Sequence, residues 1–252
     1  MSSSPEEIKL NPKWEYASFS KINTGSSFLY KTLKDSKNKI IAVNAGHGTK
    51  NGSSIKTLCH PDGTPKTTGG STKKGSTHAL AVSDGITLLN GITEGAINLK
   101  VAKKLKEILL NNGYNVLMIR DDEDVQLDNI ARTVIANNKS DILISLHFDS
   151  GDKNKGAFYL SVPDAIKEMT PVKEHWKEHD KLGKNIIEGL KKNNVKIFGE
   201  GKMDIDLTQT CYSTIPSIIV ELGDQATNVE DEELNKMVEG ILNGINIFFS
   251  YF

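Results

Sequence analysis

Three apolar runs, far apart in this chain, each lead to one polar side chain. The runs and their polar residues are Ile40–Val43 with His47, Asp141–Leu146 with His147, and Ile218–Val220 with Glu221. Apolar runs of this kind form buried strands, and ligands bind outside the carboxyl ends of the strands in an open α/β sheet. We therefore expect His47, His147 and Glu221 to converge at one edge of a sheet.

The rest of the pattern alternates strand-like and helix-like segments. Strands are predicted at residues 39–45, 115–119, 141–147, 156–162 and 217–221. Helices are predicted at residues 94–112, 127–138, 182–190 and 232–248. Short βα units with apolar strands indicate a sheet that is covered on both faces. We expect an α/β fold: a single three-layer domain with a mostly parallel, twisted sheet and helices on both faces.

Two segments fall outside this alternation. Residues 1–36 carry scattered aromatic residues without periodicity, and we interpret them as an N-terminal extension that packs on the core or serves as a linker. The domain proper takes in residues 37–252. Within it, residues 49–92 are dense in Gly, Ser, Thr and Lys, and loops this long inside a domain tend to be functional. Because this loop follows His47 directly, we expect it to border the site.

Charge and hydropathy limit the kinds of partner. The chain has 31 basic and 32 acidic residues, so nothing favours nucleic acid or an anionic membrane. An uncharged or mixed-charge substrate fits better. No run approaches the ~20 apolar residues of a membrane span, and Met1–Pro5 lacks the apolar core of a signal peptide. We expect either synthesis in the cytoplasm or a leader that this sequence lacks.

The two cysteines, Cys59 and Cys211, have no close-spaced partner. Their isolation argues against a zinc site built on cysteines. Free buried thiols are the expectation, with a disulfide between the two as the alternative that spacing alone does not decide.

Each residue of the expected cluster also has an ordinary interpretation. His47, between two glycines, is either a surface-turn histidine or one that the backbone brings close to an ion. His147 ends a strongly apolar strand, where an imidazole is costly to bury unless it is paired or ligated. Glu221 is either half of a structural ion pair or a buried carboxyl whose raised pKa lets it take up and return a proton.

A zinc site with two histidines generally adds a carboxylate. Glu94 is the best candidate because it opens a predicted helix after the long loop, although acidic residues are favoured in any first helical turn. His175–His179 matches H-x-x-E-H, the pattern of inverted zinc peptidases, but its charged flanks favour a solvated helix start. His60 and His78 lie in the long loop, where we expect surface residues, with substrate contact as the alternative.

These residues belong to an ordered series of motifs that resembles the zinc-dependent N-acetylmuramoyl-L-alanine amidases of the type 3 family, which cleave bacterial peptidoglycan. The resemblance covers about residues 39–249. Its motifs are Val43–Gly48, Glu94 with Asn98-Leu99, Arg120-Asp121, Leu127 with Arg132, Ser140–His147, and Ile215–Gly223 with Asn228 and Glu230–Glu232. The resemblance implies an amidase catalytic domain in which His47, Glu94 and His147 bind Zn²⁺ and Glu221 is the catalytic acid-base.

The resemblance also implies the reaction. A zinc-bound water would attack the amide between the lactyl group of N-acetylmuramic acid and L-alanine, while Glu221 takes the water's proton and returns it to the leaving amine. The implied ligands are the peptidoglycan stem peptide and muramic acid, at the cell wall or outside the cell. Autolysin, phage endolysin and sporulation or germination enzyme all stay open. For the 49–92 loop we expect a role either in substrate preference or in binding a regulatory protein.

The chain departs from the family pattern at three places, which comprise four residues. Asn44-Ala45 stands where the family usually has Asp-Pro, Asp149 where it usually has Asn, and Asp224 where an aromatic residue is common. These changes leave the ligands and the base intact, but they alter the side chains around them.

Two other functions remain as alternatives. A zinc carboxypeptidase acting on wall peptides commonly has a glutamate three residues after its first histidine, where this chain has Lys50. A non-catalytic cell-wall-binding module is the alternative from another class of protein.

Overall fold

The computed structural model describes residues 4–250, which form ten strands and five α-helices. The strands are β1 (Glu6–Ile8), β2 (Ser27–Tyr30), β3 (Ile40–Ala45), β4 (Lys56–Leu58), β5 (His78–Leu80), β6 (Asn115–Met118), β7 (Ile142–Asp149), β8 (Ala157–Ser161), β9 (Ile197–Asp204) and β10 (Ser217–Asp224). The helices are α1 (Glu94–Asn111), α2 (Asn129–Lys139), α3 (Val172–Lys192), α4 (Thr208–Tyr212) and α5 (Asp231–Phe249). None of these helices is long and apolar enough to cross a bilayer.

Eight of the strands form one sheet in the order β1-β2-β6-β3-β7-β10-β8-β9. The central strands β6, β3, β7 and β10 run parallel, whereas β2 joins β6 and β8 joins β10 antiparallel. The mostly parallel central sheet predicted from the apolar runs is confirmed. Its antiparallel margins were not predicted.

Side chains along β3 show how the sheet separates two cores. Ile41 and Val43 belong to the large core beneath α1, α3 and α5. Ala42, between them, belongs to the opposite core with Leu143 and the α2 residue Ile135. The short helix α4 packs against α2 on that second side. Helices therefore cover both faces, as the short βα units predict.

The predicted N-terminal extension contributes strands to the sheet edge within its described part. β2 pairs with β6, placing Phe28 opposite Met118, and β1 pairs with β2. Ile8 and Leu29 are buried against the α2 side of the sheet. Residues 4–30 thus pack on the core instead of forming a linker. Strands of three and four residues are too short to produce a readable alternation, so they could not be predicted.

The observed bounds differ from the predicted ones mainly where an element is polar. β9 and α4 were not predicted, because β9 is a largely exposed strand with two glycines and α4 has only five residues. The helix predicted at residues 182–190 begins ten residues earlier, at Val172, because its first turns are charged. The strand predicted to end at His147 continues to Asp149.

The His175–His179 pattern lies in α3 without forming a metal site. The two ring centroids are 6.4 Å apart, and His179 Nδ1 accepts the backbone N–H of Ser217 at 3.0 Å. His179 is only 2% exposed, so the expectation of a solvated helix start is wrong at this residue. The hydrogen bond to its ring links α3 to the start of β10, the strand that contains Glu221.

Replacing His179 by Asn should flatten the pH dependence of stability. Burial, with a smaller effect of His175, lowers the pKa of His179 from 6.5 to about 3. The unfolded chain therefore takes up a proton as the pH falls below 6.5 while the folded protein does not, which favours unfolding. Between pH 7 and pH 5 the wild-type free energy of unfolding should fall by about 2 kcal/mol more than that of His179→Asn.

Urea titrations at the two pH values measure this difference. The Asn side chain keeps an acceptor for the Ser217 N–H but does not titrate. Equal pH dependence in the two proteins would contradict the role given to His179.

Candidate metal centre and active site

Three side chains meet at the carboxyl-terminal edge of the central strands. His47 follows β3, His147 lies near the end of β7, and Glu94 opens α1. Glu94 Oε1 lies 2.8 Å from His47 Nε2 and 2.9 Å from His147 Nδ1, and the two ring nitrogens are 3.1 Å apart. The expected convergence of the two histidines occurs here, together with the carboxylate that the resemblance implied.

The turn that carries His47 has an unusual backbone. His47 has a φ of 62°, in the left-handed region that residues other than glycine seldom adopt, and Gly48 follows at 69°. The His47 ring is fixed by its Nδ1, which donates to the carbonyl of Ser83 at 2.7 Å. Because a carbonyl can only accept, a neutral ring presents the lone pair of Nε2 towards Glu94.

Two buried arginines hold the backbone beneath this turn. Arg120 donates from Nε to the carbonyl of Ala45 at 3.0 Å and from Nη2 to that of Gly46 at 3.1 Å. Arg132 donates from Nη2 to the carbonyl of His47 at 2.8 Å. Burial lowers the pKa of Arg120 to about 10 and that of Arg132 to about 9, so both stay charged near neutral pH. Their charged hydrogen bonds keep the His47 turn rigid.

Glu94 is held as a carboxylate. Burial acts to raise its pKa, but the adjacent His147 and His47 rings outweigh burial and lower it. The backbone N–H groups of Ile86 and Phe148 donate to Oε2 and Oε1, each at 3.1 Å. The long loop and β7 thus both orient this carboxylate.

The cluster fits a metal ion. His47 Nε2 presents a lone pair to an ionised oxygen 2.8 Å away, which is repulsive unless a positive charge lies between them. Burial lowers the pKa of His147, which disfavours a proton as that charge. Two imidazole nitrogens and one carboxylate oxygen are a usual donor set for zinc in a catalytic site. His47, Glu94 and His147 would hold the ion.

Glycines give the rings the space that they occupy. A Cβ atom on Gly46 would lie 2.3 Å from His147 Nε2, so no larger residue fits there without moving the ring. A Cβ on Gly85, whose φ is 82°, would lie 2.9 Å from Glu94 Oε2. The glycine before His47 is thus required by the other histidine as well as by the turn.

Glu221 lies beside this cluster. In the parallel pairing of β10 with β7, its Cα is opposite that of His147. Its Oε2 is buried and has no hydrogen-bond partner within residues 4–250. Burial, and next the charges of Glu94 and Asp149, raise the pKa of Glu221 well above its usual value, while Lys155 acts in the opposite direction. A buried carboxyl with a raised pKa and a free oxygen is suited to carry a proton.

A cavity of about 660 Å³ opens over these groups. His47, Glu94, His147 and Glu221 all line it. The facing wall comes from the long loop and the α4 region, and includes Lys66, Thr72, Leu80, Asp84, Thr208 and Gln209. Residues of the 49–92 loop therefore form part of the wall of this cavity.

The three departures from the family pattern all have partners. Asn44 Nδ2 donates to Ser145 Oγ at 2.9 Å, below the site. Asp149 forms an ion pair with Lys155, and Asp224 Oδ2 accepts the backbone N–H of Lys155 at 3.0 Å. Together the two acids fix a lysine whose charge acts on Glu221.

The long loop also contains buried polar residues that the sequence did not predict. His60 is fully buried, so the expectation of a surface residue is wrong; its Nε2 hydrogen-bonds with Asp206 at 2.9 Å. Lys66 is only 5% exposed. No apolar run surrounds either residue, so local pattern carries no signal of their burial. His78 is exposed, and Cys59 and Cys211 are free and buried as expected.

Fold and cluster together define a mixed α/β domain with a metal-binding type of site at the edge of its central sheet. The sequence model of the N-acetylmuramoyl-L-alanine amidase family matches residues 41–246. This match spans more than half of the chain and includes His47, Glu94, His147 and Glu221. The chain therefore belongs to the N-acetylmuramoyl-L-alanine amidase family, a family of hydrolases whose members are generally metal-dependent.

Individual proteins agree with this assignment. The chain is 29% identical over 164 residues to an endolysin of Bacillus phage SPP1, covering 62% of this chain and 58% of the endolysin. It is 28% identical over 173 residues to a putative N-acetylmuramoyl-L-alanine amidase of Buchnera aphidicola subsp. Schizaphis graminum, covering 62% of this chain and 70% of that protein. The solved amidase Ami1 of Mycobacterium smegmatis superposes with a TM-score of 0.67 at 17% identity, covering 87% of this chain and all of Ami1, which shows the shared fold.

Proposed function

We propose that this protein hydrolyses the amide bond between the lactyl group of N-acetylmuramic acid and L-alanine in bacterial peptidoglycan, with Zn²⁺ as its cofactor. The observation that carries the proposal is the arrangement of His47, Glu94 and His147 around one point, with the buried carboxyl of Glu221 beside them. The family membership indicates which bond is hydrolysed, and the side chains of the cluster are suited to hydrolysing it.

The donor set supports zinc as the cofactor. When bound, Zn²⁺ would act as a Lewis acid that polarises the amide carbonyl and lowers the pKa of a water molecule. His47 is prepared for this ligation, because its Nδ1 proton is committed to the Ser83 carbonyl. The backbone N–H groups of Ile86 and Phe148 keep Glu94 in place.

Glu221 performs the proton transfers of the proposed reaction. Its carboxylate takes a proton from the attacking water, and its buried Oε2 has no competing hydrogen bond within the described chain. Burial raises its pKa, so the carboxyl retains that proton until the C–N bond breaks and then donates it to the amine of L-alanine. The lysine fixed by Asp149 and Asp224 limits this rise in pKa.

The cavity wall supports a substrate of mixed character. It combines polar residues such as Thr72 and Gln209 with apolar ones such as Leu80 and Ile219, which suits muramic acid joined to a peptide. We propose action at the cell wall on this basis. The chain spans only 58% of the phage endolysin that it matches, so autolysin, endolysin and sporulation roles are all compatible with the same site.

We propose the 49–92 loop as the surface that binds a regulatory protein partner. Leu89 and Ile92 are exposed by 69% and 39% near the base of α1, so a protein bound there would cover apolar surface. Such a partner would contact the same loop that orients Glu94.

Product analysis of digested peptidoglycan tests the proposed bond. We expect free lactyl groups on muramic acid together with stem peptides that carry a free L-alanine amine, both seen by chromatography with mass detection. Release of a terminal amino acid would instead identify a carboxypeptidase. Saturable binding to cell walls without any new end group would identify a wall-binding module.

A further inference from the structure

A second group of metal-ligating side chains lies outside the site described above. It consists of His60 from the long loop, Asp206 just before α4, and Cys211 within α4. All three are fully buried, at 0% exposure. Their ligand atoms lie within 4.8 Å of one another. The sequence pattern did not predict this arrangement, because 146 positions separate His60 from Asp206.

The spacing of these atoms is close to that of a zinc site. Zinc lies about 2.0 Å from nitrogen or oxygen and about 2.3 Å from sulfur, so tetrahedral ligands are about 3.3 Å (N to O) and about 3.5 Å (S to O) apart. Cys211 Sγ is 3.5 Å from Asp206 Oδ1, and His60 Nε2 is 2.9 Å from the same oxygen. The His47, Glu94 and His147 atoms are similarly close, at 2.8 to 3.1 Å.

The surroundings of the group also hold it in place. His60 Nδ1 hydrogen-bonds with Thr64 Oγ1 at 2.8 Å, which leaves Nε2 to face Asp206. The backbone N–H of Thr67 donates to Asp206 Oδ2 at 2.7 Å, and Lys66 Nζ donates to the Asp206 carbonyl. These are the outer hydrogen bonds that orient histidine and carboxylate ligands in metal sites.

Charge and a fourth side chain favour a bound cation. Cys59 is 1% exposed and directly precedes His60 in the chain. An ion that bound both thiols would displace their protons. In the zinc-bound state, the Asp206 carboxylate and two thiolates would carry three negative charges. These equal the positive charges of Zn²⁺ and the Lys66 ammonium together.

We propose that His60, Asp206 and Cys211 bind a second, structural zinc ion, with Cys59 as the candidate fourth ligand. A site of this kind is closed, without a position open to substrate. Its role is to fasten the long loop to the segment that leads into α4. Lys66 in the loop and Leu207 in that segment both line the catalytic cavity, so the second ion would set the shape of the cavity wall.

Cobalt substitution distinguishes the two sites. The His47, Glu94 and His147 site contains no sulfur, so a thiolate-to-Co²⁺ charge-transfer band in the near ultraviolet reports only on the second site. After removal of metal with a chelator and addition of Co²⁺ to the whole protein, we expect this band in the wild type. We expect it unchanged in His147→Ala and lost in Cys211→Ser, a substitution close to isosteric. Cys59→Ser should weaken it.

Metal analysis gives an independent count. Protein saturated with Zn²⁺ and freed of excess ion should contain two zinc ions per chain, falling to one in Cys211→Ser and to one in His147→Ala. His60→Gln, which leaves both thiols in place, should also contain one. Circular dichroism identifies any variant that is unfolded.

The proposal is overturned if wild-type protein binds a single zinc ion and shows no charge-transfer band, because the buried group is then a hydrogen-bonded cluster without metal. It is also overturned if folded Cys211→Ser keeps two ions. A Cys59→Ser band of full strength would remove Cys59 from the ligand set. None of these outcomes depends on amidase activity, so the proposed function is tested separately.

Discussion

The Glu221→Gln variant should lose about 10³-fold in kcat on peptidoglycan while keeping its zinc content, since general acid-base catalysis contributes about 10²–10⁴-fold. The amide of Gln keeps the size of the side chain but can neither take a proton from water nor return one to the amine. The pKa of Glu221 is raised mainly by burial, so removing the ionisable carboxyl relieves a desolvation cost and should not destabilise the fold. Turnover measured from the release of L-alanine amino ends, together with metal analysis, gives the two quantities.

A matched control uses an acid that lies away from the site. Glu200 is such an acid, because it is exposed on β9 and does not line the cavity. Glu200→Gln makes the same chemical substitution as Glu221→Gln. That variant should behave as the wild type. Activity of Glu221→Gln within tenfold of the wild type would remove Glu221 from the role of acid-base.

Loss of a ligand should have a different signature, in which zinc and activity disappear together. His147→Ala deletes the nitrogen that lies 2.9 Å from Glu94 and 3.1 Å from His47. Two remaining ligands bind zinc far more weakly than three, so we expect the affinity at this site to fall by at least about 10²-fold and activity to become undetectable. Zinc titration with a chromogenic chelator as competitor measures the affinity.

The variant should remain folded, because His147 is partly exposed and its removal deletes little buried apolar surface. Restoring activity by millimolar zinc would support loss of affinity as the cause. A His147→Ala protein that keeps both tight zinc binding and turnover at this site would contradict the assignment of His147 as a ligand.

Several parts of this site could be predicted because local sequence has local physical consequences. A run such as Ile218–Val220 is stable only when buried, so the carboxyl that follows it must be poorly hydrated, and the pKa of Glu221 is raised as that argument predicts. The same reasoning applies to His147 at the end of β7. Glu94 could not be separated from an ordinary helix start, because an acid in the first turn is favoured with or without a metal.

Other parts depend on contacts that no local pattern encodes. His175–His179 has the spacing of the H-x-x-E-H motif, but the His179 ring accepts a hydrogen bond from the backbone of β10, a strand distant in sequence. His60 lies in a polar loop, yet it is fully buried beside Asp206, which is far along the chain and has its Oδ1 2.9 Å from His60 Nε2. Polar residues carry no periodic signal, so only their partners reveal their burial.

By itself, the sequence determined the central strands, the covered sheet, and which side chains stand at the ends of three apolar runs. An apolar pattern can be interpreted from one segment alone, because burial of its apolar side chains stabilises that segment whichever element it packs against. Only the tertiary structure decided that Ser83 directs the His47 ring, that Arg120 and Arg132 hold its turn, and that His60 meets Cys211. Those contacts join residues from different elements, and their geometry exists only once the sheet and helices have packed.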